Sequence, residues 1–121
     1  VERVLIVEDE PELLALAASL FRSIGYDVLS ASNGADAPLV IERDPASVQV
    51  VFSDLVMPGI TGLELAEWVS ETHPEIQVVL TSGYATPDVG NERERMQKFA
   101  FVPKPYRLAD LAKALRVATA R

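Results

Sequence analysis

Five polar side chains in this sequence are candidates for chemistry, because each closely follows a short apolar run. They are Glu8, Asp9, Asp54, Ser82 and Lys104. Two carboxylates about 4 Å apart repel each other by roughly 4 kcal/mol even at an effective dielectric constant of 20. A hard divalent cation such as Mg²⁺ offsets this repulsion, since carboxylate oxygens are ligands that it accepts. If the fold brings the acidic residues together, they predict a metal site.

Phosphoryl transfer is the reaction that fits these side chains. It requires a nucleophile in line with the phosphorus, cations on the phosphoryl oxygens and accurate positioning. Asp54 is the expected nucleophile, because an ionised carboxylate forms an acyl phosphate without a general base. Asp9 and Asp54 are expected to bind Mg²⁺ (or Mn²⁺), with Glu8 holding a metal-bound water. Lys104 is expected to stabilise the developing charge, and the Ser82 hydroxyl to hydrogen-bond the attached phosphoryl group.

The apolar runs alternate with segments of helical period, which is the pattern of βαβ units and a parallel sheet. Strands are predicted over Arg3–Val7, Tyr26–Ala31, Val48–Ser53, Ile76–Thr81 and Ala100–Val102. Helices are predicted from Pro11 to Gly25, over Ala35–Glu42, after Gly62 and from Leu108 onwards, with a loop and a short charged helix between Tyr84 and Arg95. The sequence therefore predicts a single α/β domain over residues 1–121, a flavodoxin-like doubly wound sheet of five parallel strands in the order 2-1-3-4-5 with five helices.

The predicted sheet also places the candidate residues. Parallel crossovers are right-handed, so helices cover both faces, and ligands bind beyond the carboxyl ends of the strands. The acidic residues, the hydroxyl and the amine all follow strands, and we expect them at one edge of the sheet.

Composition excludes several classes of function. The net charge of −7 makes direct binding of nucleic acid a poor expectation. The absence of cysteine excludes disulfides, a thiolate nucleophile and cysteine zinc sites, and it is compatible with a cytoplasmic location. No apolar run approaches the roughly 18 residues of a membrane span. A start at Val1 rather than Met fits a domain taken from a longer protein, although removal of an initiator Met would look the same.

The chain resembles the receiver domains of two-component response regulators over essentially its whole length. The shared motifs are an acidic pair, an acceptor strand and turn, a hydroxyl before a small residue, a Lys-Pro pair, and an aromatic residue three positions before the lysine. In this sequence they are Glu8-Asp9, Phe52-Ser53-Asp54-Leu55-Val56-Met57-Pro58-Gly59 with Gly62 downstream, Ser82-Gly83, Lys104-Pro105 and Phe101. The acidic balance and the Thr81-Ser82-Gly83-Tyr84 stretch are most similar to receivers fused to hybrid sensor histidine kinases.

The resemblance implies a phosphorelay function. Receivers accept a phosphoryl group from the phosphohistidine of a histidine kinase or histidine phosphotransfer domain, or from small donors such as acetyl phosphate. They are signalling switches that catalyse their own phosphorylation and slow dephosphorylation, rather than enzymes acting on a separate substrate. The resemblance adds the backbone carbonyl of Val56 to the metal ligands.

The resemblance also implies a switch. Phosphorylation pulls Ser82 toward the phosphoryl group, and Phe101 turns inward by packing alone, since it lacks the hydroxyl of Tyr. The face of the fourth helix, fifth strand and fifth helix then changes its preference for an output domain or partner protein. The segment Ala85–Arg95 carries little apolar stripe, which predicts a short fourth helix. We also hypothesise that Tyr84 shields the aspartyl phosphate from water.

Several alternatives remain at this point. Asp54 could cap a turn. The hydroxyl of the site could be Thr81 instead of Ser82, but Ser82 is favoured because it leaves the small residue Gly83 after it, and Thr81 then points the other way along the strand. A dehalogenase-type phosphatase would place a second Asp where Val56 stands. A flavodoxin-type FMN carrier would place a phosphate-binding loop where Glu8-Asp9-Glu10 would repel phosphate. A degenerate receiver would bind a partner without accepting phosphate, but all residues of the acceptor motif are present.

Overall fold

Strands and helices alternate along the chain, and the computed structural model describes residues 2–83 and 92–119. The strands are β1 (Arg3–Val7), β2 (Asp27–Ala31), β3 (Val50–Asp54), β4 (Gln77–Ser82) and β5 (Ala100–Pro103). The helices are α1 (Pro11–Ser23), α2 (Ala37–Arg43), α3 (Gly62–Thr72), α4 (Glu92–Met96) and α5 (Leu108–Thr119). Within these described ranges, no helix is both long enough and apolar enough to cross a bilayer.

The five strands form one sheet in the order β2-β1-β3-β4-β5. Every neighbouring pair is parallel, so each connection crosses over the sheet through helical structure. The prediction of a flavodoxin-like, doubly wound α/β sheet in the order 2-1-3-4-5 is confirmed. The strand order reverses between β1 and β3, and a crevice is expected at their carboxyl ends.

The core has two layers, one on each side of the sheet. Leu5, Val51 and Leu80 belong to the layer that includes residues of α2 and α3. Ile6 and Phe52 belong to the layer that includes residues of α1 and α5. Successive residues of a strand therefore enter different layers, as the period of two requires. The central strands β1 and β3 each carry a continuous apolar run, over residues 4–7 and 50–52, because both of their faces are buried.

Two predicted boundaries differ from the structure because of local turns. The predicted third strand begins at Val48, but the Val48 N–H donates to Pro45 O at 3.3 Å in a 3₁₀ turn, and β3 begins at Val50. The predicted second helix begins at Ala35, whereas the Asp36 N–H donates to Asn33 Oδ1 at 2.8 Å and α2 begins at Ala37. Each turn satisfies a backbone N–H locally, with a carbonyl oxygen before β3 and with a side-chain oxygen before α2.

A capping box fixes the start of α3. The Thr61 Oγ1 accepts the Glu64 N–H at 3.1 Å, and Glu64 Oε1 accepts the Thr61 N–H at 3.1 Å. These bonds satisfy two donors that the first turn of a helix leaves without partners. They hold the segment after β3 in place beside the end of that strand.

The short helix α4 is held against α3 by an ion pair. The Arg95 guanidinium donates to both carboxylate oxygens of Glu67, with Nε 2.8 Å from Oε2. Met96 is buried in the same core layer as α3. The structure describes five residues of this helix, Glu92–Met96, and the shortness of the fourth helix stays a prediction.

Replacing Glu67 by Gln should lower the free energy of unfolding by about 1 kcal/mol at pH 7. This value is at the upper end of the range measured for exposed ion pairs, because Arg95 contacts both carboxylate oxygens. The hydrogen bond from Arg95 lowers the pKa of Glu67 below 4.5. A lowered folded-state pKa stabilises the protein above the unfolded pKa, and this contribution is lost as the pH falls through the folded pKa. Urea unfolding at pH 7 and pH 3 checks this. A difference between variant and parent that is equally large at both values would contradict the role of the ion pair.

Candidate functional site

The candidate residues meet in an open cleft at the carboxyl ends of the strands. The cleft has a volume of about 640 Å³, and Asp9, Asp54, Val56 and Lys104 are among its lining residues. Asp54 is the last residue of β3, and Lys104 directly follows β5. The sheet therefore gathers residues that are far apart in sequence.

Lys104 joins two buried carboxylates. Its Nζ lies 3.0 Å from Glu8 Oε1 and 3.2 Å from Asp54 Oδ2. Glu8 is only 4% exposed and Asp54 only 7%. Because Lys104 starts at β5 while Asp54 lies on β3, the lysine side chain must cross β4 to make these contacts. Gly83 lies beside the lysine side chain, since a Cβ added to Gly83 would lie 3.9 Å from the Cβ and Cδ of Lys104.

Three carboxylates meet at one point of the cleft. Each of Glu8, Asp9 and Asp54 offers an oxygen within 4.8 Å of the other two. Glu8 and Asp54 are buried while Asp9 is exposed. Lys104 balances only one of the three negative charges, and hard oxygen donors of this kind suit a divalent cation. The cluster could bind a metal ion, and it is open to solvent on the side of Asp9.

Burial and ion pairing oppose each other in this cleft. Burial raises the pKa of Glu8 above 4.5, although the hydrogen bond from Lys104 works against the rise. Burial by itself would lower the pKa of Lys104, but its contacts with Glu8 and Asp54 outweigh burial and raise that pKa above 10.5. The lysine is therefore charged at neutral pH and depends on the two carboxylates beside it.

Tyr106 is part of the site that the sequence analysis did not identify. It is 8% exposed, and its ring packs edge-on against Phe52 at 5.4 Å. Burial raises the pKa of Tyr106 to about 12, with smaller electrostatic effects from the lysine and the carboxylates of the cleft. Its position two residues after Lys104 was the available sequence signal.

A model of the response regulator receiver domain matches residues 4–116. The chain belongs to this family. The match rules out the dehalogenase-type phosphatase and the FMN carrier as alternatives. It agrees with the resemblance to receiver domains that the acidic pair, the acceptor turn and the Lys-Pro pair indicate.

Similar proteins support the same assignment. The sensor kinase CckA of Brucella abortus is 35% identical over 113 residues, which are 93% of this chain but 12% of that kinase. A response regulator receiver domain protein from Clostridium thermocellum has a TM-score of 0.87 and 25% identity, with 100% of this chain and 96% of that chain covered. The receiver domain of the hybrid histidine kinase CckA has a TM-score of 0.77 and 32% identity, with 96% and 97% covered.

The two adjacent hydroxyls of this receiver lie on opposite faces of β4. Val79 belongs to the core layer of α1 and α5, while Leu80 belongs to the other layer. By the period of two, Thr81 shares the face of Val79, and Ser82 shares the face of Leu80. Ser82 ends the strand and is 2% exposed. Its predicted role in binding the phosphoryl group stays a prediction.

The structure also describes two further predicted site residues, Val56 and Phe101. The Val56 N–H donates to Asp54 Oδ1 at 3.4 Å, and the Val56 side chain is 54% exposed at the cleft mouth. Phe101 is partly buried and packs against the core layer of α2 and α3. Tyr84, the hypothetical shield against water, lies outside the described residues.

Proposed function

We propose that this receiver accepts a phosphoryl group on Asp54 from a phosphohistidine of a histidine kinase or histidine phosphotransfer domain. The observation that carries the proposal is the Lys104 ammonium shared between Asp54 and Glu8, with Asp9 beside them. A buried carboxylate with one cation in contact and two more carboxylates nearby is costly for a fold to keep. Chemistry at Asp54 accounts for the arrangement.

The transfer uses the groups of the cleft in a definite way. A carboxylate oxygen of Asp54 attacks the phosphorus, the P–N bond to the donor imidazole breaks, and the imidazole leaves with the electron pair. Negative charge then grows on the phosphoryl oxygens, and the Lys104 ammonium moves the short distance needed to follow it. No general base takes part, because the attacking carboxylate has no proton to lose.

A divalent cation fits the acidic cluster in this proposal. Asp9 and Asp54 would hold Mg²⁺ (or Mn²⁺) directly, with the Val56 carbonyl as a further ligand and Glu8 acting through water. When bound, the cation neutralises charge on the phosphoryl oxygens during transfer. Three carboxylates and one ammonium leave two negative charges, which one divalent cation balances.

Replacing Asp9 by Asn should weaken Mg²⁺ binding by about 10-fold to 100-fold, because the variant loses the exposed carboxylate of the cluster. Isothermal titration calorimetry of both proteins with MgCl₂ measures the change. Glu12→Gln is a matched control, since Glu12 is an exposed acidic residue in the first turn of α1. Equal weakening in the two variants would indicate a general charge effect and contradict the proposed ligand.

The proposed switch links Ser82 to Phe101 through adjacent strands. Leu80 is the register partner of Phe101 across β4 and β5, and Ser82 shares the face of Leu80. A shift of Ser82 toward the phosphoryl group would therefore change the space available to Phe101. We propose that Phe101 repacks inward and that the face of α4, β5 and α5 changes its affinity for an output domain or partner protein.

Similarity to CckA favours a phosphorelay in the cytoplasm that involves a hybrid kinase or its phosphotransfer partner. Acetyl phosphate with Mg²⁺ tests acceptance of the phosphoryl group without that partner. The parent should gain one phosphoryl group that is stable in acid and labile in base, and Asp54→Asn should gain none. Asp27→Asn, which changes an exposed residue of β2, should behave like the parent. Equal labelling of Asp54→Asn would contradict the proposal.

A further inference from the structure

The hydroxyl of Thr81 is buried without a partner. Thr81 is 1% exposed, and among the described residues its Oγ1 is the one buried side-chain polar atom with no hydrogen bond. A buried hydroxyl without a partner destabilises a fold. Valine has nearly the same shape and would avoid that cost, so the hydroxyl calls for an explanation.

Thr81 lies directly beside the proposed phosphoacceptor. Thr81 and Asp54 are register partners on the neighbouring parallel strands β4 and β3. The Leu55 N–H donates to Thr81 O at 2.8 Å, which fixes the strands together at this point. Phe52 and Val79 belong to the same core layer, so Asp54 and Thr81, each two residues further along, share one face of the sheet.

The charge distribution around Asp54 changes when it is phosphorylated. In this structure Asp54 Oδ2 is occupied by the Lys104 ammonium at 3.2 Å. Transfer moves negative charge from the carboxylate to the phosphoryl oxygens, and the ammonium is drawn after it. The carboxyl oxygen that is not bonded to phosphorus then becomes a carbonyl acceptor, and Asp54 lies on the same face of the sheet as Thr81.

We propose that Thr81 is a second hydroxyl of the acceptor site, which donates to this carbonyl oxygen of phosphorylated Asp54. The inference rests on the proposed phosphorylation of Asp54. It differs from the role proposed for Ser82, which lies on the opposite face of β4 and would bind a phosphoryl oxygen.

This hydrogen bond would speed loss of the phosphoryl group. In hydrolysis the oxygen of water attacks the phosphorus, the bond between phosphorus and the Asp54 oxygen breaks, and Asp54 leaves as a carboxylate with the electron pair. The proton of water passes to solvent, and inorganic phosphate is released. The departing carboxylate gains charge on both oxygens, so a donor at the second oxygen stabilises the transition state more than the acyl phosphate.

The test is the lifetime of the phosphoryl group in Thr81→Val and Thr81→Ser. Each protein is phosphorylated with acetyl phosphate and Mg²⁺, the donor is removed, and the remaining adduct is followed with time. Thr81→Val should retain the group about 2-fold to 10-fold longer than the parent, the range for one net hydrogen bond. Thr81→Ser keeps the hydroxyl and should stay within about 2-fold of the parent.

The outcomes separate this inference from its alternatives. Equal lifetimes in Thr81→Val and the parent would overturn the Thr81 proposal alone, while absence of adduct in the parent would overturn the phosphorylation of Asp54 and this inference with it. Lengthening in Thr81→Ser as large as in Thr81→Val would assign the effect to packing and overturn the role of the hydroxyl. If Thr81→Val does not fold, Thr81→Ala takes its place. A longer phosphoryl lifetime in Thr81→Ala than in Thr81→Ser would then support the role of the hydroxyl, and equal lifetimes in the two variants would overturn it.

Discussion

Replacing Lys104 by Met should lower the free energy of unfolding by about 3 kcal/mol at pH 7, because removal of one partner leaves buried charge uncompensated. Met keeps most of the length of the side chain but removes the ammonium. Glu8 and Asp54 would then face each other nearly buried, without the cation that lies 3.0 Å and 3.2 Å from their oxygens. We also expect the rate of phosphorylation by acetyl phosphate to fall, since the same ammonium stabilises the phosphoryl oxygens in the proposed transfer.

The loss of stability should depend on pH in a defined direction. The pKa of Glu8 is already raised above 4.5, and loss of the ammonium should raise it further. A carboxyl whose pKa is higher in the folded state binds more protons when folded, so stability rises as the pH falls. The difference between variant and parent should therefore shrink from pH 7 toward pH 4.5. In the parent, the raised pKa of Lys104 stabilises the fold below pH 10.5, and this contribution is lost as the pH rises through the folded value.

Lys113→Met is the matched control for this prediction, because Lys113 is an exposed lysine on α5. It should change the free energy of unfolding by less than about 0.5 kcal/mol. Urea unfolding of the two variants and the parent gives the comparison, and added MgCl₂ should restore part of the stability of Lys104→Met. Equal losses in both variants would contradict the account of the ion pair.

Replacing Gly62 by Ala should destabilise the protein by about 3 kcal/mol, the upper part of the range for overpacking. A Cβ at this position would clash with Asp54 O and would lie 2.8 Å from Leu55 Cα. These atoms belong to the backbone and cannot move aside by rotation of a side chain. Gly62 is also tied to this backbone by its N–H, which donates to Leu55 O at 2.9 Å. Any relaxation must therefore displace Asp54.

Helix propensity predicts the opposite result, since Ala is favoured over Gly by about 1 kcal/mol inside a helix. Gly62 is the first residue of α3, so the sign of the measured change separates the two effects. Gly83→Ala is the control, because its added Cβ would make only ordinary contacts at 3.9 Å with Lys104. An unfolding free energy for Gly62→Ala equal to or above that of the parent would contradict the close approach of the two backbones.

The clustering of the site residues at one edge of the sheet could be predicted, because the sequence indicates where the parallel strands end. Glu8, Asp54 and Lys104 each come at or shortly after the end of an apolar run, and parallel strands bring such positions to one edge of the sheet. The capping box at Thr61 and Glu64 was also readable from the spacing of three residues, although the sequence analysis did not use it. Local signals of this kind need no knowledge of the tertiary structure.

Two features escaped prediction, one because it joins distant segments and one because a local turn replaced part of a strand. Glu67 and Arg95 are 28 residues apart, and no periodicity links them. The 3₁₀ turn before β3 shortened the strand by satisfying the Val48 N–H locally. Tertiary packing decides the first of these outcomes, and a local turn that competes with the strand decides the second.

The location of the phosphoryl group on the chain is the most direct test of the central claim. The parent is treated with acetyl phosphate and Mg²⁺, reduced with borohydride, which converts an aspartyl phosphate to homoserine, and mapped by peptide mass spectrometry. We predict homoserine at position 54 and unmodified aspartate at Asp9. Homoserine at another position, or none in a sample whose intact mass shows the adduct, would contradict the assignment of Asp54 as the phosphoacceptor.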